Sequence, residues 1–193
     1  MNKEELNGAL RRHEAWLKCK FGGERADLHG EVLCGADLQG KDLQHAILKD
    51  SDLRSADLQH SILEHSDLRH SDLRGTDLRY AILKDCYLEG AILRGADLQH
   101  SDLRGTGLRH SDLRGADIDY ASWPLGCGSL KAYVDDRIAI QLLYHTLSVV
   151  QYSPYVSEEV KKALLSEENV RIANRFHRVG ECGEIKEWEE GTK

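Results

Sequence analysis

From residue 26 to residue 120 the chain carries a large apolar side chain at every fifth position. The third residue of each pentad is leucine from Leu28 to Leu113, then isoleucine at Ile118. The first residue is nearly always Ala, Ser or Thr, with Cys86 once, and the second is mostly Asp. The fourth and fifth are Gln, Arg, Lys, His, Gly and similar residues, and nineteen pentads follow one another without an insertion. No regular element buries such a column. On an α-helix five steps turn a side chain through about 500°, so the leucines would be smeared around every face. In a straight strand a step of five changes face each time.

One geometry works: a short extended piece, a corner, and another extended piece. Positions one and three share a face of the extended piece and point inward, while position two points outward, which suits Asp. Positions four and five make the corner, which suits Gly and polar residues. If each corner turns about a quarter circle, four pentads close a coil of twenty residues. Stacked coils then pair like parallel strands roughly 4.8 Å apart. The pattern predicts about 4.75 coils in a rod roughly 23 Å long at that spacing.

The phrase Ala/Ser-Asp-Leu-x-x, repeated as SDLRH and SDLRG at 66–75, resembles the pentapeptide-repeat family. The resemblance implies a mainly β fold, a right-handed quadrilateral β-solenoid, over about half the chain. Glu31 and Lys41 depart from the pattern, since they hold inward first positions where the family has small residues. Both fall in the first coil, where an open end lets them reach solvent. Deeper in the rod they would be costly.

A solenoid has two raw ends that need covers. Residues 3 to 20 carry Leu6, Leu10, His13 or Trp16, and Leu17 at helical spacing, and Gly22 and Gly23 stop the helix. This helix is expected to cap the first coil with Trp16 and Leu17; the alternative is a partner-binding helix. At the other end ASWPLGCG interrupts the pentads, with Trp123 in the next inward slot and Pro124 after it. Trp123 is read as the plug of the column. SLKAYVDD is read as one short strand. Asp135 or Asp136 then opens a helix to about Val150, with Ile138, Leu142, Leu143 and Leu147 on one side. Ser157 and Ser166 open two more, each with acidic first turns, and the tail GEIKEWEEGTK is charged and read as frayed. The organisation is therefore a capping helix at 1–25, a solenoid at 26–123 and a helical module at 124–193.

Residues twenty apart stack. One second-position column is unbroken acid: Asp37, Asp57, Asp77, Asp97 and Asp117. A fourth-position column carries Arg54, Arg74, Arg94 and Arg114, with Cys34 at its start. Arg54 and Asp57 stand three apart around one corner, so the two ladders are expected to pair across it, each exposed pair contributing about 0–1 kcal/mol. The other reading is that the Asp ladder imitates nucleic-acid phosphates. The resemblance brings in that reading, because some family members bind DNA gyrase as acidic rods shaped like duplex DNA. Against it, the repeat region holds 15 Asp and 3 Glu but also 8 Arg and 3 Lys. Ile62 and Ile82 stack at exposed second positions and form a candidate docking patch.

Composition narrows the classes further. The chain has 193 residues, 6% aromatics and a formal net charge of −7. No apolar run approaches the ~18 residues of a membrane span, and the first twenty residues lack a signal-like apolar stretch. Cys19, Cys34, Cys86, Cys127 and Cys182 are scattered, with no CxxC pair, which fits reduced thiols in a cytoplasm. Corner histidines such as His45 and His65 make a two-His pair without a third ligand, weak ground for a metal. No phosphate loop, G-x-S-x-G or H-E-x-x-H occurs. Cys127 has no base nearby in sequence. No catalytic residue, cofactor or metal is assigned. The expectation is a cytoplasmic interaction protein with an unidentified protein partner. DNA gyrase is the alternative partner. The expectation includes no direct contact with nucleic acid or membrane, and the resemblance suggests a homodimer through the C-terminal helices.

Overall fold

The computed structural model describes residues 1–122, 134–152 and 156–175. It divides into two compact units, Met1–Val134 and Asp135–Lys193. Trp123, Pro124, Cys127, Cys182, residues 129–133 of the SLKAYVDD strand and the charged tail lie outside the described residues, while Asp136, the last residue of that stretch, opens a helix.

In the first unit the repeat is a coil with a period of twenty. Parallel bridges join second positions one coil apart, from Asp27 with Ile47 to Asp102 with Ser122. Every third-position leucine is buried, most of them completely, as are the first-position residues from Ala46 to Ala116. Ser51, Ser61, Ser66, Ser71 and Ser111 satisfy their inward hydroxyls by donating to the third-position carbonyl of the preceding pentad, at 2.6–2.7 Å. Thr76 and Thr106 instead reach carbonyls of the neighbouring coil at 2.8 Å. A core of small and large residues thus tolerates hydroxyls without leaving those donors unpaired.

Backbone hydrogen bonds explain the five-residue period position by position. In the pentad at 51–55 the second N–H, of Asp52, donates to Glu31 O one coil back at 2.9 Å. The third and fifth N–H groups, of Leu53 and Ser55, donate to Asp72 O and Arg74 O one coil on, at 2.8 and 3.0 Å. The first N–H, of Ser51, closes the corner onto Leu48 O at 3.3 Å. The fourth, of Arg54, has no carbonyl and donates to Asp52 Oδ1 at 3.2 Å. The second-position Asp is therefore part of the turn as well as an outward polar residue: it accepts the one backbone donor the ladder leaves over. The same bond recurs at Asp27, Asp37, Asp42, Asp57, Asp67, Asp72, Asp77, Asp97, Asp102, Asp112 and Asp117.

The corner is the fifth residue, which lies in the left-handed region in every pentad described, from Gly30 at φ 67° to Tyr120 at 59°. Glycine takes this region without strain, yet eleven of these corners are His, Asp, Ser or Tyr. Each costs on the order of 1 kcal/mol relative to glycine, so corner side chains offset a penalty through what they touch.

Helix α1 spans Lys3–Leu17. Asn2 caps it, accepting from Glu4 and Glu5 N–H at 3.0 Å, while Glu5 accepts from the Asn2 N–H at 2.8 Å. Its buried residues are Leu6, Ala9 and His13. Trp16 and Leu17, expected to carry the lid, behave differently. Trp16 is exposed at 36% and touches the coil through an edge-on contact with His45, and Leu17 is half-buried. The helical stripe reads Leu6–Ala9–His13, so the buried seam runs through a small residue and a histidine. Glu31 reaches the rim as expected, half-buried with Oε2 2.9 Å from the Met1 amino group, and Lys41 is exposed.

In the second unit, α2 spans Asp136–Tyr152, α3 Glu158–Leu164 and α4 Glu167–Ala173. Asp135 Oδ1 accepts from Ile138 N–H at 3.0 Å, and Ser157 from Val160 N–H at 3.4 Å, as N-caps do. Ser166 stands at the third N-cap position without a side-chain cap bond. Tyr144, Leu147 and Val150 of α2 pack with Leu165, Val170 and Ala173. Ile138 and Leu147 are buried as the helical spacing predicts, while Leu142 and Leu143 are half-buried. Among the described residues no helix is long and apolar enough to cross a membrane.

Candidate functional site

The period of twenty sorts outward residues into four faces. Face A carries second positions 27, 47, 67, 87 and 107; face B carries 32, 52, 72, 92 and 112; face C carries 37, 57, 77, 97 and 117; face D carries 42, 62, 82, 102 and 122. Each face adds the fourth-position residue two along.

On face B the acids are neutralised where they stand. Arg54 Nε lies 2.8 Å from Asp52 Oδ1 and its terminal nitrogen 2.6 Å from Oδ2. Arg74 grips Asp72, and Arg114 grips Asp112, in the same fork. Arg94, whose own pentad has Ile92 at the second position, reaches Asp112 at 3.8 Å, and Arg54 also approaches Asp72 at 3.8 Å. The expected pairing of Arg54 with Asp57 across the corner is replaced by pairing two residues back on the same face. The reason is geometric. Positions two and four flank one turn, and the Asp already bends over to accept the fourth N–H, so its second oxygen faces the Arg fork. The arginine hydrogen bond draws the Asp52 carboxyl down to about 2, and Asp72 and Asp112 are lowered from the same cause.

Face C is different. Asp37, Asp57, Asp77, Asp97 and Asp117 form one continuous column of parallel bridges. Its fourth positions are Gln39, Gln59, Arg79, Gln99 and the buried Asp119, so Arg79 is the one arginine among the fourth positions beside five second-position carboxylates. Arg79 forks onto Asp77 and lies 3.5 Å from Asp97. Gln59 and Gln99 offer amides instead of charge, Gln99 to Asp117 at 2.9 Å. Like charges one coil apart repel, and on this face glutamine does not cancel them.

Along the corner of face C runs an aromatic ladder. His60, Tyr80, His100 and Tyr120 stack with ring centroids 4.9, 4.7 and 4.8 Å apart and interplanar angles of 6°, 1° and 7°. All four are left-handed corner residues. Stacked pairs contribute roughly 0.5–1.5 kcal/mol each, enough to offset the left-handed penalty. The period of twenty shows this ladder in the sequence once the corner is assigned to the fifth position.

The apolar second positions are dispersed. Ile82 is exposed at 38% and bridges to the half-buried Ile62 on face D. Tyr87 on face A lies under the Arg69 guanidinium, 5.9 Å from its centroid.

The His45–His65 pair stacks at 5.1 Å, and Glu64, His65 and Asp85 bring ligand-type atoms within 4.8 Å of one another. The two carboxylates, however, face the Lys84 ammonium, 2.9 Å from Glu64 and 3.6 Å from Asp85, so a cation already answers them. Cys86 is fully buried against Ser66 Oγ at 3.2 Å, and burial pushes its thiol up to about 12, which makes it a core residue and no nucleophile.

A parallel four-cornered solenoid with side-chain ladders on its faces is therefore the class that the fold and surface define. The model of the family described as pentapeptide repeats matches residues 26–64, 51–90 and 81–119, and the chain belongs to this family. Its members fold as right-handed β-helices. The chain is similar to a pentapeptide repeat protein of the Arabidopsis thaliana thylakoid lumen, at 28% identity over 54% of this chain and 71% of that one, with a TM-score of 0.50. It also matches HetL of the cyanobacterium Nostoc, a protein involved in heterocyst differentiation regulation, at 29% identity over 57% of this chain and 54% of that one, with a TM-score of 0.37. A third match is full-length QnrB1, a plasmid-mediated fluoroquinolone resistance protein, at 18% identity over 64% of this chain and 84% of that one, with a TM-score of 0.23. Among curated proteins no sequence matches this chain.

Proposed function

We propose that this protein is a non-enzymatic interaction protein that presents face C of its rod, about 4.75 coils tall, to a cationic surface on a protein partner. The observation that supports it is the contrast between neighbouring faces: one arginine among the fourth positions beside the five second-position Asp of face C, against three Asp–Arg forks on face B. A rigid one-signed column steers a complementary partner and fixes its register. Ile62 and Ile82 lie one corner beyond, an apolar contact at the rim of the same surface. Asparagine substitution tests this, because it removes charge and keeps the Oδ1 that accepts the fourth N–H. A partner captured by the wild type should be lost with Asp57→Asn/Asp97→Asn/Asp117→Asn and kept with Asp52→Asn/Asp72→Asn/Asp112→Asn. Equal capture by both triple variants refutes the reading.

A second reading rests on the same column. Regularly spaced carboxylates suit a protein groove that holds duplex DNA, and DNA gyrase is the partner this reading names. A supercoiling assay with and without a quinolone tests it, and absence of effect at micromolar protein removes it. In both readings the rod works in a reducing cytoplasm, touching neither nucleic acid nor membrane directly. The helices within 124–193 serve as a dimerisation or partner module. Light scattering on the full chain separates dimer from monomer.

A further inference from the structure

His13 is the buried ionisable group of α1. Its ring is wholly inaccessible, and its Nδ1 accepts the Ala26 N–H at 3.1 Å, the bond that ties the helix to the first pentad. That acceptor role places the ring proton on Nε2, which is buried and has no hydrogen bond of normal geometry. One ring face is covered by Trp16, stacked at 5.7 Å, and Trp16 in turn meets His45 of the first coil edge-on at 6.2 Å. Farther along the connecting segment Glu24 N–H donates to Arg12 O at 3.1 Å, beside an Arg12–Glu24 ion pair.

We propose that α1 is an acid-released lid whose latch is His13. A proton arriving at Nδ1 occupies the lone pair that holds the Ala26 N–H, leaves that donor without its acceptor, and creates a charge in a buried site. The charged and titratable groups that face the ring are Asp42 and His45 of the first coil and Arg25 of the connecting segment. Burial, His45 and Arg25 disfavour the imidazolium, while Asp42 and the Gln44 carbonyl favour it, and burial is the largest influence. The net effect holds the docked ring below the ordinary histidine value. The docked form therefore binds the proton less readily than the released form. Docking is at full strength above about pH 6.5, where both forms are neutral, and weakens as pH falls, by up to about tenfold per pH unit.

Release would uncover an edge that matters. The second-position N–H groups of the later coils donate to the coil before them, as Ile47 does to Ala26 at 3.0 Å and Asp52 to Glu31 at 2.9 Å. The equivalent groups of Asp27, Val32, Asp37 and Asp42 have no earlier coil. The lid stands at this edge, where Leu6 and Asn7 share a cleft with Val32, Leu33, Ala36 and Lys41. An unlidded first coil offers these donors to a second copy of the rod.

Hydrogen exchange on the full chain, from about pH 7.5 to about pH 5, tests the latch while the carboxylates of the lid's ion pairs stay charged. Protection factors of residues 3–17 should fall by tenfold or more in the wild type and stay nearly constant in His13→Gln, whose amide oxygen can still accept from Ala26, while rod amides change in neither. Unchanged wild-type protection, or an equal fall in His13→Gln, overturns the proposal. If His13→Gln leaves α1 unprotected at every pH, the NMR titration of His13 in the wild type decides. A midpoint below about 6.5 supports the latch, and one at or above it overturns it.

Discussion

The second-position Asp offers the sharpest test of how the repeat holds itself together, and Asp72 sits in mid-rod where end effects are least. Its Oδ1 accepts the Arg74 N–H at 3.2 Å and Arg74 Nε at 2.8 Å, and Oδ2 holds the outer guanidinium nitrogen. Asp72→Ala removes both the backbone bond, about 0.5–1.5 kcal/mol, and the half-exposed ion pair, about 0–1 kcal/mol. The expected loss is about 1–2 kcal/mol. Asp72→Asn keeps the acceptor and removes only the charge, so it should cost under about 1 kcal/mol, and Arg74→Met should match it. Urea unfolding at neutral pH, with the slope compared across the set, reads the order. If Asn destabilises as much as Ala, charge governs the position and the turn argument is wrong. If Ala is neutral, water replaces the carboxylate at no cost and the backbone accounting fails.

Leu73→Ala, at a site with no exposure, should cost about 2–5 kcal/mol, against under about 1 kcal/mol for Ile82→Ala at 38% exposure; comparable losses in urea would contradict an axial core. Gly95→Val should cost about 1–2 kcal/mol through backbone conformation alone, because φ is +66° and nothing lies within 4 Å of an added Cβ; an unchanged midpoint would contradict the left-handed corner. Acid should weaken the rod in a defined window. Asp52, drawn to about 2 by its arginine, and the lowered Asp67, Asp72, Asp102 and Asp112 bind protons less readily folded than unfolded. Their contribution is whole above about pH 4 and is lost as pH falls toward about 2, so a urea midpoint that stays flat across that window refutes it.

The leucine column, the inward small residues and the polar corner could be read from spacing alone, because a period of five excludes both regular elements. The role of Asp52 could not, since an outward acid and a turn acceptor look alike until the fourth N–H is counted. Arg54 pairs with Asp52 for the same reason: sequence distance suggests Asp57 around the corner, while the turn aims Asp52 at the guanidinium. The lid seam was legible as a helix but not as a set of contacts. Trp16 is the largest apolar group there, yet the buried residues are Leu6, Ala9 and His13. The tyrosine–histidine ladder follows from the twenty-residue period only once the fifth position is known to be the corner, because a histidine's residue type alone does not distinguish a stacking ring from a metal ligand.

Columns twenty residues apart underlie every face described, and one chemical measurement addresses them directly. With Cys19, Cys127 and Cys182 replaced by Ser and the buried Cys86 retained, Cys34 stands on face B with Arg54 stacked one coil below it, Gly35 N–H meeting Arg54 O at 2.9 Å. Dibromobimane, which fluoresces when it bridges two thiols, should cross-link Cys34 to Arg54→Cys rapidly and to Lys49→Cys or Gln59→Cys hardly at all. Equal yields at the three positions, or none at Arg54→Cys, would contradict the twenty-residue coil and the acidic face built on it.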